Sequence, residues 1–141
     1  MKEDALFCIG QKAIIEKDGK VLILFDPAEG LDFPGGKIQE GEAIDGDASS
    51  LVLSLQREVR EETCLEVEVF NPFAVWYHEF PKGHRNYPKT VYLVAHKAKY
   101  VSGKLTLSDE HDNFRWVDEN DYKEVDDGSD YFDALGKYFN S

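Results

Sequence analysis

Residues 48–63 constrain this chain more than any other stretch. At about 100° per residue, Ala48, Val52, Leu55 and Val59 fall on one stripe, so the spacing predicts an amphipathic helix with one buried face. Asp47 and Ser49 are its N-cap candidates, because a short oxygen-bearing side chain can accept from a first-turn amide that lacks an intrahelical partner. Glu58, Glu61 and Glu62 follow at i, i+3 and i+4. Their side chains occupy an arc of about 100° that adjoins the buried stripe instead of lying opposite it. Like charges at i, i+4 cost a few tenths of a kcal/mol on a bare helix. Two readings follow. One is a solvated acidic face with Arg57 and Glu61 paired at i, i+4. The other is a carboxylate set for a hard divalent cation such as Mg²⁺, which takes oxygen ligands and readily bridges carboxylates and phosphates.

The rest of the chain alternates between strand and turn signals. Residues 5–16 are mostly apolar and β-compatible, and Asp18-Gly19 supplies a two-residue hairpin turn. Lys20 to Phe25 is apolar on both faces, which predicts a central, doubly covered strand. In Leu31-Asp32-Phe33-Pro34-Gly35-Gly36-Lys37-Ile38, a proline fixes one dihedral and two glycines permit unusual ones. Such a segment holds a backbone shape that can bring a carbonyl or amide to a ligand. Strands are expected near 66–77 and 90–100, a turn at Ser102-Gly103, a short strand at 104–107 and a last strand at Phe114–Val117. A second helix is expected over Tyr131–Phe139. Many strands with two helices give an α+β chain, an α/β/α sandwich, expected as one domain over residues 1–141.

Charge narrows the function. A net charge of −12 repels nucleic-acid backbones, so DNA and RNA are not expected partners. Phe80 to Ser108 holds no Asp or Glu but carries Lys82, Arg85, Lys89, Lys97, Lys99 and Lys104. These are either ordinary surface cations or a cationic lip for an anionic ligand. The densest apolar run, Val21 to Phe25, is far too short to span a bilayer, and Met1 to Ala5 lacks a signal-peptide layout. Cys8 and Cys64 match no zinc or redox spacing, which makes a reducing cytoplasm the expected compartment.

The glutamates stand in a longer pattern. Gly36-Lys37-Ile38-Gln39-Glu40-Gly41-Glu42 precedes the helix and Arg57-Glu58-Val59-Arg60-Glu61-Glu62-Thr63-Cys64-Leu65 ends it. This resembles the Nudix signature: Gly, five residues, Glu, seven residues, then Arg-Glu-apolar-x-Glu-Glu-x-Gly-apolar. The lead-in Asp32 to Ile38 is similar to that of the MutT branch. The chain departs from the signature twice. Fourteen residues separate Glu42 from Arg57 where the family has seven, and Cys64 stands in place of the last Gly. The insertion, close to two helical turns, leaves the position of Glu42 open. Cys64 must either adopt a left-handed conformation at some cost or end the helix differently. A nucleophilic role for Cys64 is disfavoured, since no His lies near it in sequence.

The resemblance implies a Nudix α/β/α sandwich with a mixed sheet and a loop-helix-loop catalytic motif. It further implies a Mg²⁺-dependent hydrolase, with Mn²⁺ as a substitute, that cuts a phosphoanhydride bond in a nucleotide-type small molecule. By position, Glu58, Glu61 and Glu62 become metal-binding carboxylates, the Gly35 carbonyl an extra ligand, and Arg57 the residue that orients the glutamates, with Glu42. Glu110 is the candidate general base, in a segment leading to Trp116-Val117; Trp116 itself reads as core. Tyr77, Lys82 and Arg85, within the aromatic and basic stretch that also holds His78, Phe80, His84 and Tyr87, are the candidate substrate contacts. The MutT-like lead-in points to nucleoside triphosphates, and Pro81 points to ADP-ribose or nucleotide-sugar substrates. Two alternatives stay open: a Nudix-fold binding or regulatory module of weak turnover, and an unrelated acidic interaction domain. Relatives frequently form homodimers, and the sequence leaves that assembly open.

Overall fold

In the computed structural model, which describes residues 2–140, Met1 and Ser141 at the ends of the expected domain lie outside the described residues. Seven strands form one mixed sheet: β1 (Cys8–Lys17), β2 (Lys20–Asp26), β3 (Gly30–Asp32), β4 (Gly35–Lys37), β5 (Glu66–Glu79), β6 (Thr90–Ser102) and β7 (Asn113–Val117). The order is β3-β2-β1-β6-β5, with β4 added to β1 and β7 to β2. Only β1 and β6 pair in parallel; the other pairs are antiparallel. Helices α1 (Ser49–Thr63) and α2 (Asp130–Phe139) cover opposite faces. No helix among the described residues is long and apolar enough to cross a membrane.

The two-faced burial follows from alternation along β1 and β2. Ala13, Ile15, Leu22 and Leu24 meet Leu55 and Val59 of α1, whereas Ile14, Val21 and Ile23 meet Ala134 and Leu135 of α2. β2 is therefore the doubly covered strand that its apolar run predicts. The hairpin before it turns at Asp18 and Gly19, with φ of 53° and 80°, the left-handed pair that a two-residue turn needs.

Three expectations change. Residues 104–107 are not a strand. The amides of Thr106 and Ser108 donate to the carbonyls of Thr63 and Glu62, so this segment satisfies the open C-terminal end of α1 while Leu105 and Leu107 pack on the α1-side core. The α1 cap residue is Ala48, exposed and without a side-chain cap; Asp47 instead accepts from the amide and hydroxyl of Ser49. The buried face begins only at Ser54 and Leu55; Val52 is half-buried.

The inserted residues divide between loop and helix. Asp45 and Gly46, at φ of 51° and 69°, make a tight turn closed by the Ile44–Asp47 bridge. The remainder extends α1 towards its N-terminus. Cys64 takes the left-handed conformation, at φ 63°, and its amide caps Arg60.

Candidate functional site

The insertion does not carry Glu42 away from the helix. Its carboxylate accepts from Ser54 Oγ and from Arg57 Nη2, the latter at 2.6 Å. The hydroxyl of Ser54, the Gln39 amide and the Arg57 guanidinium together hold the Glu42 carboxyl below the ordinary carboxylate range. Arg57 spans three carboxylates: Glu42, Glu58 at 3.1 Å and Glu61 at 2.6 Å. It is the strut that sets the acidic face, as a planar fork of donors suits.

The helix glutamates have distinct surroundings. Glu61 is largely exposed and held by Arg57. Glu58 lies against Gly36, where a Cβ would come within 2.7 Å of its Oε2. Burial, with repulsion from Glu61 and Glu42, raises its carboxyl despite Arg57. Glu62 is only 5% exposed and accepts the Gly35 amide at 2.7 Å. Burial pushes its carboxyl up to about 9, against the pull of Lys12 and the Gly35 amide. Gly35 permits this approach: its φ is 141°, and a Cβ there would collide with the Gln11 carbonyl.

Beneath Glu62 lies a charged network that the sequence did not single out. Lys12, 8% exposed, pairs with Asp32 at 3.0 Å. Asp32 Oδ2 accepts from His111 Nε2 at 2.9 Å, and Oδ1 also accepts the Phe33 amide. Burial pushes the Asp32 carboxyl up, but Lys12 and His111 outweigh it and hold the group low. Lys12 is raised by the same pairing, against its own burial. The available signals were Lys12 beside the apolar run 13–15 and Asp32 between Leu31 and Phe33, charged positions on strands whose neighbours are core.

The loop before β7 closes the site. Ser108 is tied to the Glu62 carbonyl, and His111 N donates to the Ser108 carbonyl. Glu110, exposed, is thereby brought beside Glu62. Ligand atoms of Glu62, Glu110 and His111 all lie within 4.8 Å of one another, as do those of Asp26, Asp32 and His111. Two carboxylates held this close repel unless a proton or a cation sits between them, and a divalent cation supplies that compensation with the most charge. The residues present thus fit a hard divalent ion.

Of the candidate substrate contacts, Tyr77 points away from this network. It is 56% exposed and meets Phe7 edge-on, whereas its neighbours Trp76 and His78 face Tyr131. Lys82 and Arg85 are exposed on the loop between β5 and β6. That loop is pinned beside the Pro-Gly-Gly segment: His84 pairs with Glu29 at 2.8 Å and stacks on Phe80, and Asn86 accepts from Lys37 at 3.2 Å. Trp116 packs against the α1-side core.

Known structures share this architecture. A MutT protein from Methanosarcina mazei Go1 superposes with a TM-score of 0.73 at 23% identity, covering 99% of this chain and 96% of its own. A C. elegans Ap4A hydrolase gives 0.69 at 21% identity, covering 93% and 94%. The E. coli ORF135 protein gives 0.67 at 24%, covering 92% and 89%. No curated protein matches the sequence significantly. At these identities the likeness speaks for the fold; membership comes from the NUDIX domain model, which matches residues 12–135. With a Glu-bearing helix, a glycine-shaped lead-in and this sheet in place, the chain belongs to the Nudix hydrolase family.

Proposed function

We propose that the chain is a single Nudix domain that hydrolyses, with Mg²⁺ or Mn²⁺, a phosphoanhydride bond in a nucleoside diphosphate linked to a further group. The observation that carries this reading is Glu62, a buried carboxyl fixed by the Gly35 amide with a second carboxyl, Glu110, within 4.8 Å. Such a pair is costly without a cation and favourable with one. Glu58, Glu61, Glu62 and the Gly35 carbonyl would hold the ion, and Arg57 with Glu42 fixes the helix side chains. When bound, the metal neutralises phosphate oxygens and acidifies a water.

The protein's own groups do the rest. Gly35 N–H fixes one oxygen of Glu62, so the carboxylate cannot rotate away. Glu110, exposed beside Glu62, accepts the proton of the attacking water. Lys82 and Arg85 offer cations to the phosphates from the loop that His84 and Asn86 anchor. In this reading Tyr77 contributes an exposed stacking face at the margin, for a base held away from the phosphates.

The substrate class in this reading is a nucleoside triphosphate or an ADP-ribose or nucleotide-sugar type compound. Similar structures include proteins named as MutT, an Ap4A hydrolase and an ADP-ribose pyrophosphatase. The deciding experiment is a nucleotide-product screen across nucleoside triphosphates, ADP-ribose, nucleotide sugars and dinucleoside polyphosphates, with Mg²⁺ and with excess chelator. Turnover that persists in chelator, or no turnover of any of these compounds with Mg²⁺ or Mn²⁺, refutes the proposal.

A further inference from the structure

His111 is the buried group that the reaction as described leaves without a task. Its side chain is 2% exposed. Nε2 is engaged with Asp32 at 2.9 Å, and Asp32 is itself held as a carboxylate by Lys12. In the neutral ring, a proton on Nε2 facing that carboxylate puts the lone pair on Nδ1. Among the described residues that Nδ1 has no hydrogen-bond partner although it is buried. A buried acceptor left unpaired is destabilising, so its persistence on a ring packed beside Glu62 and Glu110 needs an explanation. A ring nitrogen of His111 lies within 4.8 Å of oxygens of Glu62 and Glu110, so side-chain shifts on the order of an ångström bring them within the reach of one ion bonded at about 2.0–2.2 Å to each.

We infer that His111 Nδ1 is a nitrogen ligand to the divalent ion bound at Glu62. The inference rests on the metal-dependent reading above and adds to it a site of mixed oxygen and nitrogen donors. The arrangement around the ring is the one that metal-bound histidines use. The non-ligating nitrogen donates to a carboxylate, which fixes tautomer and orientation and raises the ligand's basicity. Lys12 completes it by keeping Asp32 ionised. A nitrogen donor shifts preference from Mg²⁺, which favours oxygen alone, towards the later divalent transition metals; Mn²⁺, the weakest binder of that series, serves as the paramagnetic probe. Glu110 stays close enough to take a proton from a water on that ion.

The test is pulsed electron paramagnetic resonance of the full chain loaded with one equivalent of Mn²⁺, paired with a Mn²⁺ binding isotherm. Imidazole nitrogen modulation is expected in the wild type, and its isotope shift on ¹⁵N-histidine labelling assigns it to histidine. In His111→Gln the side-chain amide can still donate to Asp32, so circular dichroism and melting should change little. The modulation should vanish, and Mn²⁺ binding should weaken on the order of tenfold or more. Bound Mn²⁺ without imidazole coupling, or coupling that survives in His111→Gln, overturns the inference and leaves the hydrolase reading standing. No Mn²⁺ binding at all overturns both.

Discussion

Replacing Glu62 with Gln should make the metal-free protein more stable, although it removes a residue proposed to hold the metal. Glu62 is 5% exposed, and burial lifts its carboxyl from 4.5 to about 9. In the unfolded chain it ionises near its ordinary value, so between these two points the native state binds the extra proton. Stability from this group is fully present below about pH 4.5 and drains away as pH rises towards 9. Each unit costs about 1.4 kcal/mol, or about 3 kcal/mol by pH 7. Gln keeps an acceptor for the Gly35 amide and does not titrate. In excess chelator at pH 7, Glu62→Gln should therefore melt higher, on the order of 10 °C for a chain of this size. The gap should close near pH 4.5 and widen towards pH 8. Adding Mn²⁺ should raise the wild-type melting temperature and leave the variant almost unmoved. Calorimetric melts from pH 4.5 to 8, with and without metal, measure all of this. A variant that melts at or below wild type at pH 7 in chelator refutes the reasoning, because the buried carboxyl would then be compensated without a cation.

Other substitutions separate the site from the scaffold. Glu61→Gln should remove most metal-dependent turnover with a stability change within about 0.5 kcal/mol, since Glu61 is exposed and its Arg57 pair is a surface one; steady-state rates and chelator melts check both halves. Val59, fully buried under α1, should cost about 1–3 kcal/mol as Ala through the cavity left behind, and an unchanged denaturation midpoint would contradict the packing. Gly36→Ala brings a Cβ within 2.7 Å of Glu58 Oε2, so metal affinity measured by titration should fall while the fold survives. Cys64→Gly should gain about 1 kcal/mol by relieving a left-handed residue at φ 63°, visible as a raised melting temperature with activity retained.

Local pattern reached the elements whose determinants are local. The Asp18-Gly19 turn, the doubly apolar β2 and the Leu55–Val59 stripe each encode their outcome within a few residues, and all appear as read. Arg57 with Glu42 was legible for a different reason: spacing along a helix is a distance, and a resemblance supplied the partner. What local pattern could not reach was set by contacts between distant segments. Nothing near residues 104–107 announces that their amides will close the end of α1 instead of joining the sheet. Ser54 carries no signal in the sequence, yet it is buried and its hydroxyl donates to Glu42.

The Lys12–Asp32–His111 network shows why this matters for chemistry. His111 and Asp32 stand 79 positions apart, and each looks unremarkable alone: a strand lysine, an acid before Phe-Pro, a histidine in a polar turn. A buried charge is tolerated only when paired, so all three must be placed together or not at all. Their shared burial then fixes the orientation of the ring, with Nε2 on Asp32 and Nδ1 buried without a partner. The glutamates of α1 announce a cation from sequence because charge repulsion on one helix face is a local quantity. The ring of His111 is oriented from β1 and β3, through Lys12 and Asp32, onto the loop before β7, an arrangement readable only when those strands are laid side by side.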